Sequence, residues 1–412
     1  MRVVVVGGGF AGLSAAARIA KLRHDVVLLE RSDVLGGRLR RHQVGDGAWH
    51  LTPPTLTLPA TVRDLFRKSG RPLERVLELE TVPGRRHVFV DKSVLDLPMG
   101  HRADQVDAMT GWLGTDPWSP WLDTLAEPWD VLRRNALDVL PGPTSLGRTE
   151  LKALGGRTPL TKVAQQLSRD RRVRSLVVDG VRLDGDDPRW TPASEALWHY
   201  VERAFGRWRP AQGWSSLADA LTTRLEERSV DVRLGVTALE VQHGAEGAQV
   251  VTDHDTVEAD VVVWCAGNLP GPPPPLLPRI PASRLLVRLG SDPGLPLDVM
   301  THGDPPLHLW SEDGLHWTIT HQNAEDPLVS LVRVGIDLRP LVEERHDLSP
   351  AELVRLGHWG WQWMGRGTRL DRPSRISDRL YVAGAGAHPG TRIEEIATAT
   401  AAIAEELGAA ER

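Results

Sequence analysis

The chain opens on an unbroken apolar run, Val3 to Val6, the pattern of a parallel strand covered on both faces. Glycines follow at positions 7, 8, 9 and 12, and Leu13 to Lys21 continues as an alanine-rich segment with one apolar face, which predicts a helix. Val26 to Leu29 predicts a second buried strand that ends at Glu30. Farther along, Leu217, Leu221 and Leu225 recur every fourth residue and predict a helix over Ser216 to Glu227. Val230 to Leu234, Thr237 to Gln242, Gln249 to Thr252 and Val257-Glu258 then read as strands of a meander. Ala259 to Trp264 reads as a buried strand running into Cys265-Ala266-Gly267. Towards the C-terminus, Leu380 to Val382 predicts a strand, Gly384 and Gly386 mark a turn, and Ile393 to Leu407 predicts a helix.

The first of these units carries chemistry. Gly7, Gly9 and Gly12 give the G-x-G-x-x-G spacing between a strand and a helix. Gly7 allows the tight turn, Gly9 lets backbone approach a pyrophosphate, and Gly12 lets the helix pack close to the sheet. The helix N-terminus then turns its unpaired amides towards the phosphates. Glu30, at the end of the second strand, is placed to accept hydrogen bonds from an adenosine ribose, and an acid there disfavours a 2′-phosphate. A dinucleotide site follows, with FAD and NAD both open at this point.

Glu30 to Arg38, ending in Gly36-Gly37-Arg38, resembles the second-strand extension of the FAD-binding superfamily that includes flavin amine oxidases and phytoene desaturases. Ala383 to Gly390 is similar to the second glycine turn of the phytoene desaturases in particular. Trp49 to Pro59 is similar to their F-D-x-G-P-T-x-L-T-L-P stretch, with His50 at the usual aspartate and Thr52 at the usual glycine. The resemblance implies an α/β fold. A Rossmann-like FAD-binding domain would be built from three discontinuous segments, 1–80, 205–285 and 362–412, with an inserted α+β substrate domain from 81–204 and 286–361. It implies FAD as cofactor, held by Gly7, Gly9, Phe10, Ala11, Gly12, Glu30, Arg31, Gly37, Arg38, Val236, Gly267, Gly384, Ala385 and Ile393.

With FAD in place, the supported reaction is hydride removal from a substrate C–H bond, a proton leaving separately. The resemblance implies a desaturase of an apolar, isoprenoid or carotenoid-like substrate. Two alternatives stand beside it: a flavin amine oxidase or oxidase of a polar metabolite, and a flavin-containing isomerase or non-redox partner protein. Where the desaturases continue glycine-rich, Thr391-Arg392-Ile393-Glu394-Glu395 introduces three charges. As first-turn acids, Glu394 and Glu395 are favoured by the helix dipole; aimed at the flavin, one of them would be a general base. Glu394, Glu395 and His388 are the catalytic candidates.

Composition narrows the remaining classes. At 412 residues, 41% hydrophobic and 25% charged, the chain is long enough for two domains and ordinary for a globular protein. A formal charge of −5 gives no basic field for nucleic acid. Cys265 is the single cysteine, which excludes an internal disulfide and fits a reducing, cytoplasmic setting; it reads as a small core residue rather than a nucleophile. His302, His308, His316 and His321 are spread over predicted strands and loops, and Gly314 argues against a helix that would align Glu312 with His316, so no metal is expected. No apolar run reaches the roughly 20 residues that span a bilayer. The fifteen tryptophans are unusual. Trp112, Trp118, Trp121 and Trp129 lie in a proline-broken helical stretch, and Trp359, Trp361 and Trp363 alternate. Singly they read as core; as a group they suit an apolar tunnel for a small-molecule substrate or a rim for peripheral membrane contact. Pro270 to Pro281 reads as a stiff connector, and Arg169, Arg171, Arg172 and Arg174 as a solvated surface.

Overall fold

The computed structural model describes residues 1–51, 55–137, 146–267, 276–322, 324–358, 360–363, 374–384, 387 and 392–410. The opening apolar run becomes strand Arg2–Val6, flanked in parallel by Asp25–Glu30 on one side and Val261–Trp264 on the other. Asp231–Leu234 and Leu380–Val382 extend the sheet in parallel at its two ends, and antiparallel Arg375–Ser377 closes one edge. Side chains alternate across it. Val3, Val5, Leu28 and Val263 face helices Phe10–Lys21, Trp214–Glu227 and Ile393–Leu407, while Val4, Val6, Val27 and Trp264 face the meander Ala238–His243, Ala248–Thr252 and Thr256–Ala259. Both faces are covered, which is why these strands read as continuous hydrophobic runs.

One predicted boundary shifts. Ala259 ends the meander strand instead of opening the buried one, because Ala259 pairs with Ala248, and Asp260 turns the chain by donating its amide to the Arg2 carbonyl at 2.9 Å. The Asp260 carboxylate also accepts from the Arg2 amide at 2.7 Å.

A second, seven-stranded sheet has the order Val342–Leu348, Ser283–Leu289, His316–His321, Leu307–Ser311, Asp298–His302, Gly84–Phe89, Val94–Pro98. Strand Ser283–Leu289 thus crosses the division placed at 285/286 and lies wholly in this sheet. Leu285, Val287, Trp317 and Ile319 pack under helix Pro327–Arg333. Phe89, Leu95 and Leu97 face the helices between 102 and 183. Here the tryptophans separate. Trp118 and Trp129 are buried in two different cores, and Trp112 stacks on Phe89 with Arg172 over its ring, so these three pack between helices and sheet. Arg171 and Arg172 begin helix Arg171–Leu183, which Asp170 caps. A short pair, Leu79–Val82 with Arg207–Pro210, ties the two passages between the sheets.

Candidate active site

The three separated stretches converge at the C-terminal ends of the parallel strands. The Gly7 amide donates to the Leu29 carbonyl at 2.8 Å, and a Cβ on Gly7 would lie 3.1 Å from the Ala266 nitrogen, which puts the Cys265-Ala266-Gly267 turn against the first glycine turn. Gly12 is required by close approach: a Cβ there would stand 1.8 Å from the Gly7 carbonyl oxygen. Gly36 donates its amide to the Gly8 carbonyl at 2.8 Å, and Gly37, at φ +51°, has its would-be Cβ 3.1 Å from Gly9 Cα. The second-strand extension is therefore laid directly on the first turn. Gly384 comes from the third stretch, its would-be Cβ 3.5 Å from the Ala11 methyl, and Phe10, Ala11 and Ile393 share one core.

An anion fits this concavity. Nothing lies within 4 Å of an ideal Cβ on Gly9, and helix Phe10–Lys21 begins with no side-chain cap and no acid in its first turn. Glu30 stands beside it. Its Oε2 accepts from the Gly8 amide at 2.5 Å, its Oε1 from the Ser32 amide and hydroxyl at 2.9 and 2.8 Å, and its main-chain oxygen from the Val236 amide at 2.9 Å. Each carboxylate oxygen keeps acceptor capacity for a ribose hydroxyl. Arg31 goes elsewhere: its exposed side chain donates to the Arg355 carbonyl at 3.2 Å. Ala385 and His388 lie outside the described residues, as do Thr52 and Trp359.

The two acids of the last helix have different fates. The Glu395 carboxylate accepts from the Arg392 amide at 2.9 Å, the role of a helix-end acid. Arg392 in turn lies 4.0 Å over the Trp198 ring and 3.4 Å from Glu195. Glu394 is no solvated first-turn acid. It is fully buried, its Oε1 accepts from the Thr57 hydroxyl at 2.5 Å, and its Oε2 has no partner among the described residues. Burial pushes its carboxyl up to about 7, with the Thr57 bond opposing. Thr57 belongs to the Trp49–Pro59 stretch, so that stretch meets the C-terminal helix at this carboxyl.

A basic cluster adjoins the turns. His358 and His42 lie 3.0 Å apart through their Nε2 atoms, and burial together with Arg38, His42, Arg284 and His50 holds His358 well below the usual imidazole range. His50 is buried, with Nε2 at 3.5 Å from Glu312 Oε2. Arg41 Nε also donates to Glu312 at 3.0 Å. Burial alone would raise the Glu312 carboxyl; His50 and Arg41 outweigh it and hold it at about 2. Thr57 lies within the Trp49 to Pro59 resemblance without being singled out, Glu312 is weighed only beside His316, and Arg284 carries no motif. Arg284 left one trace, a charge in the otherwise apolar start of a strand. Burial pushes the Cys265 thiol up to about 12, consistent with an inert core residue. Three of the four histidines go to separate carboxylates: His302 bonds Asp179 at 2.9 Å, His308 bonds Asp298 at 3.0 Å, and His316 bonds Asp313 at 2.9 Å. Among the described residues no three ligating groups gather, and no helix is long and apolar enough to cross a membrane.

A doubly covered parallel sheet, a glycine turn opening a helix, an acid ending the next strand and a second glycine turn beside the first define a dinucleotide-binding flavoprotein fold. Residues 10–326 match the family described as flavin containing amine oxidoreductase, and the chain belongs to that family. Its cofactor is FAD. The chain is 30% identical to hydroxyneurosporene desaturase of Cereibacter sphaeroides, over 68% of its own length and 60% of that relative's. It is 28% identical to phytoene dehydrogenase of Streptomyces griseus, over 93% of its length and 80% of the relative's. The fold is shared with cyclohexylamine oxidase from Brevibacterium oxydans at a TM-score of 0.64 and 14% identity, covering 98% of this chain and 99% of that one.

Proposed function

We propose that this chain is an FAD-dependent desaturase that removes hydrogen from an apolar, isoprenoid-like substrate. The observation that carries the reading is the match to a phytoene dehydrogenase along 93% of the chain. The amides at the start of helix Phe10–Lys21 and the bare backbone of Gly9 would hold the pyrophosphate, Glu30 the ribose, and Arg38, Val236, Gly267 and Gly384 would border the rest of the cofactor. When bound, FAD accepts a hydride from the substrate. The chain's own part is to exclude water, orient the reacting C–H bond and receive the second hydrogen as a proton. Glu394 suits that last role, being enclosed, held by Thr57 on one oxygen, without a partner among the described residues on the other, and poised near neutrality. The domain division at 81–204 and 286–361 belongs to the same proposal, with the seven-stranded sheet and its helices forming the substrate side.

Anaerobic mixing of the FAD-loaded protein with detergent-dispersed phytoene tests this. The expected result is loss of the yellow flavin absorbance together with a product carrying a longer conjugated system. Bleaching by amines but not by the hydrocarbon would transfer the chain to the amine-oxidising reading.

A further inference from the structure

Arg284 is a buried charge of strand Ser283–Leu289. Its Nε donates to the Leu51 carbonyl at 2.6 Å, and its Nη1 to the Ala282 and Ser283 carbonyls at 2.6 and 3.2 Å. Among the described residues its Nη2 has no hydrogen-bond partner, and no carboxylate forms an ion pair with the guanidinium. Three carbonyl dipoles fix the plane of the group but bring no net charge, so among the described residues a full positive charge stands inside the protein with no ion-pair partner. Other buried arginines here do otherwise: Arg18 pairs with Asp64, and Arg207 with Asp298.

The surroundings bring no direct counter-ion. Burial weighs most against the Arg284 charge; Asp184 favours it from beyond ion-pair distance and outweighs the repulsion of Arg38. His358 faces both arginines as well as His42 and His50, and is kept neutral. Burial pulls the Arg284 guanidinium down only to about 10, so it stays charged at neutral pH. Such a cation, oriented and with one N–H edge unused among the described residues, suits an anionic ligand. Its position says which. Arg38 leaves the turn laid on Gly9, and Leu51 belongs to the stretch that leads to Thr57 and Glu394. Arg284 therefore lies within electrostatic reach of Arg38 on the cofactor side and holds the stretch that runs on to the enclosed carboxyl.

We propose that Arg284 supplies the fixed positive charge that stabilises the negative charge appearing on the flavin ring system when it accepts a hydride. The proposal rests on the FAD-binding reading above. Two electrons and one hydrogen leave the substrate carbon for the ring, which gains one negative charge. The second hydrogen leaves as a proton to the Glu394 carboxylate, and a double bond forms between the two carbons. Arg284 acts on the first transfer, Glu394 on the second.

Sulfite is a probe independent of substrate, because it adds to the oxidised flavin and leaves the same negative charge on the ring. In holoenzyme carrying Arg284→Gln, the sulfite dissociation constant, read from flavin absorbance, is expected to rise about tenfold or more. The two-electron potential should fall by about 30 mV for each tenfold loss of reduced-state stabilisation. Arg284→Lys, which keeps the charge, is expected to stay within about threefold of the wild type. An Arg284→Gln protein that holds FAD with unchanged sulfite affinity and potential overturns the inference. That result would leave a substrate carboxylate as the anion Arg284 awaits. Should Arg284→Gln fail to fold, the wild-type holoenzyme still decides: its reduced flavin should keep the anionic absorbance spectrum down to about pH 5. Appearance of the neutral spectrum above that pH overturns the inference. A wild type that takes up no FAD overturns the cofactor reading itself, and this proposal with it.

Discussion

A carboxyl enclosed like that of Glu394 makes its protonation visible in both stability and rate. Its folded-state value of about 7 lies above the ordinary 4.5, so folding favours the protonated form. The stability this contributes is complete at acid pH and is lost as pH rises from about 4.5 to about 7, a difference of roughly 3 kcal/mol. Denaturant titrations on either side of that window should show the loss in the wild type and not in Glu394→Gln. The rate should run the opposite way. A proton acceptor must be ionised, so kcat for desaturation is expected to climb with pH through about 7, and Glu394→Gln to lower it about a hundredfold or more. A Glu394→Gln enzyme with wild-type kcat would remove the residue from the mechanism.

Within elements, a second carboxylate organises the seven-stranded sheet. Asp298, in strand Asp298–His302, accepts from Arg85 Nε at 2.7 Å, Arg207 Nη1 at 2.5 Å and His308 at 3.0 Å. Burial alone would raise its carboxyl; Arg207, Arg85 and His308 outweigh that and hold it well below the usual range. Asp298→Asn would leave two buried guanidinium groups short of a counter-charge, and equilibrium unfolding should show a loss of about 3–5 kcal/mol. This sheet was the part least legible in the chain. The first sheet announces itself because Val3 to Val6, Val26 to Leu29 and Val261 to Val263 are unbroken apolar runs whose local turns carry glycine. In the second sheet, strands carry charges such as Arg85, Asp298 and Arg284, which look like solvated positions until their partners arrive from far along the chain. The partner of Arg85 lies 213 residues away. For the same reason Glu394 read as a helix-end acid: Thr57, which encloses it, is 337 residues distant.

Over the whole molecule, three separated stretches meet at the proposed FAD site. Backbone would carry most of the grip on FAD, so its most sensitive point is a contact with no room for a side chain. Gly12→Ala would drive a methyl group to 1.8 Å from the Gly7 carbonyl oxygen and force the turn and helix apart. Glu30→Ala would remove the acceptor at the strand end while leaving the turn in place, and is expected to weaken FAD binding about tenfold. The direct measurement is a titration of FAD-free protein with FAD, followed by flavin fluorescence. The prediction is saturation at one FAD per chain for the wild type, with uptake lost in Gly12→Ala. A wild type that binds none, or a Gly12→Ala protein that binds as tightly as the wild type, would contradict it.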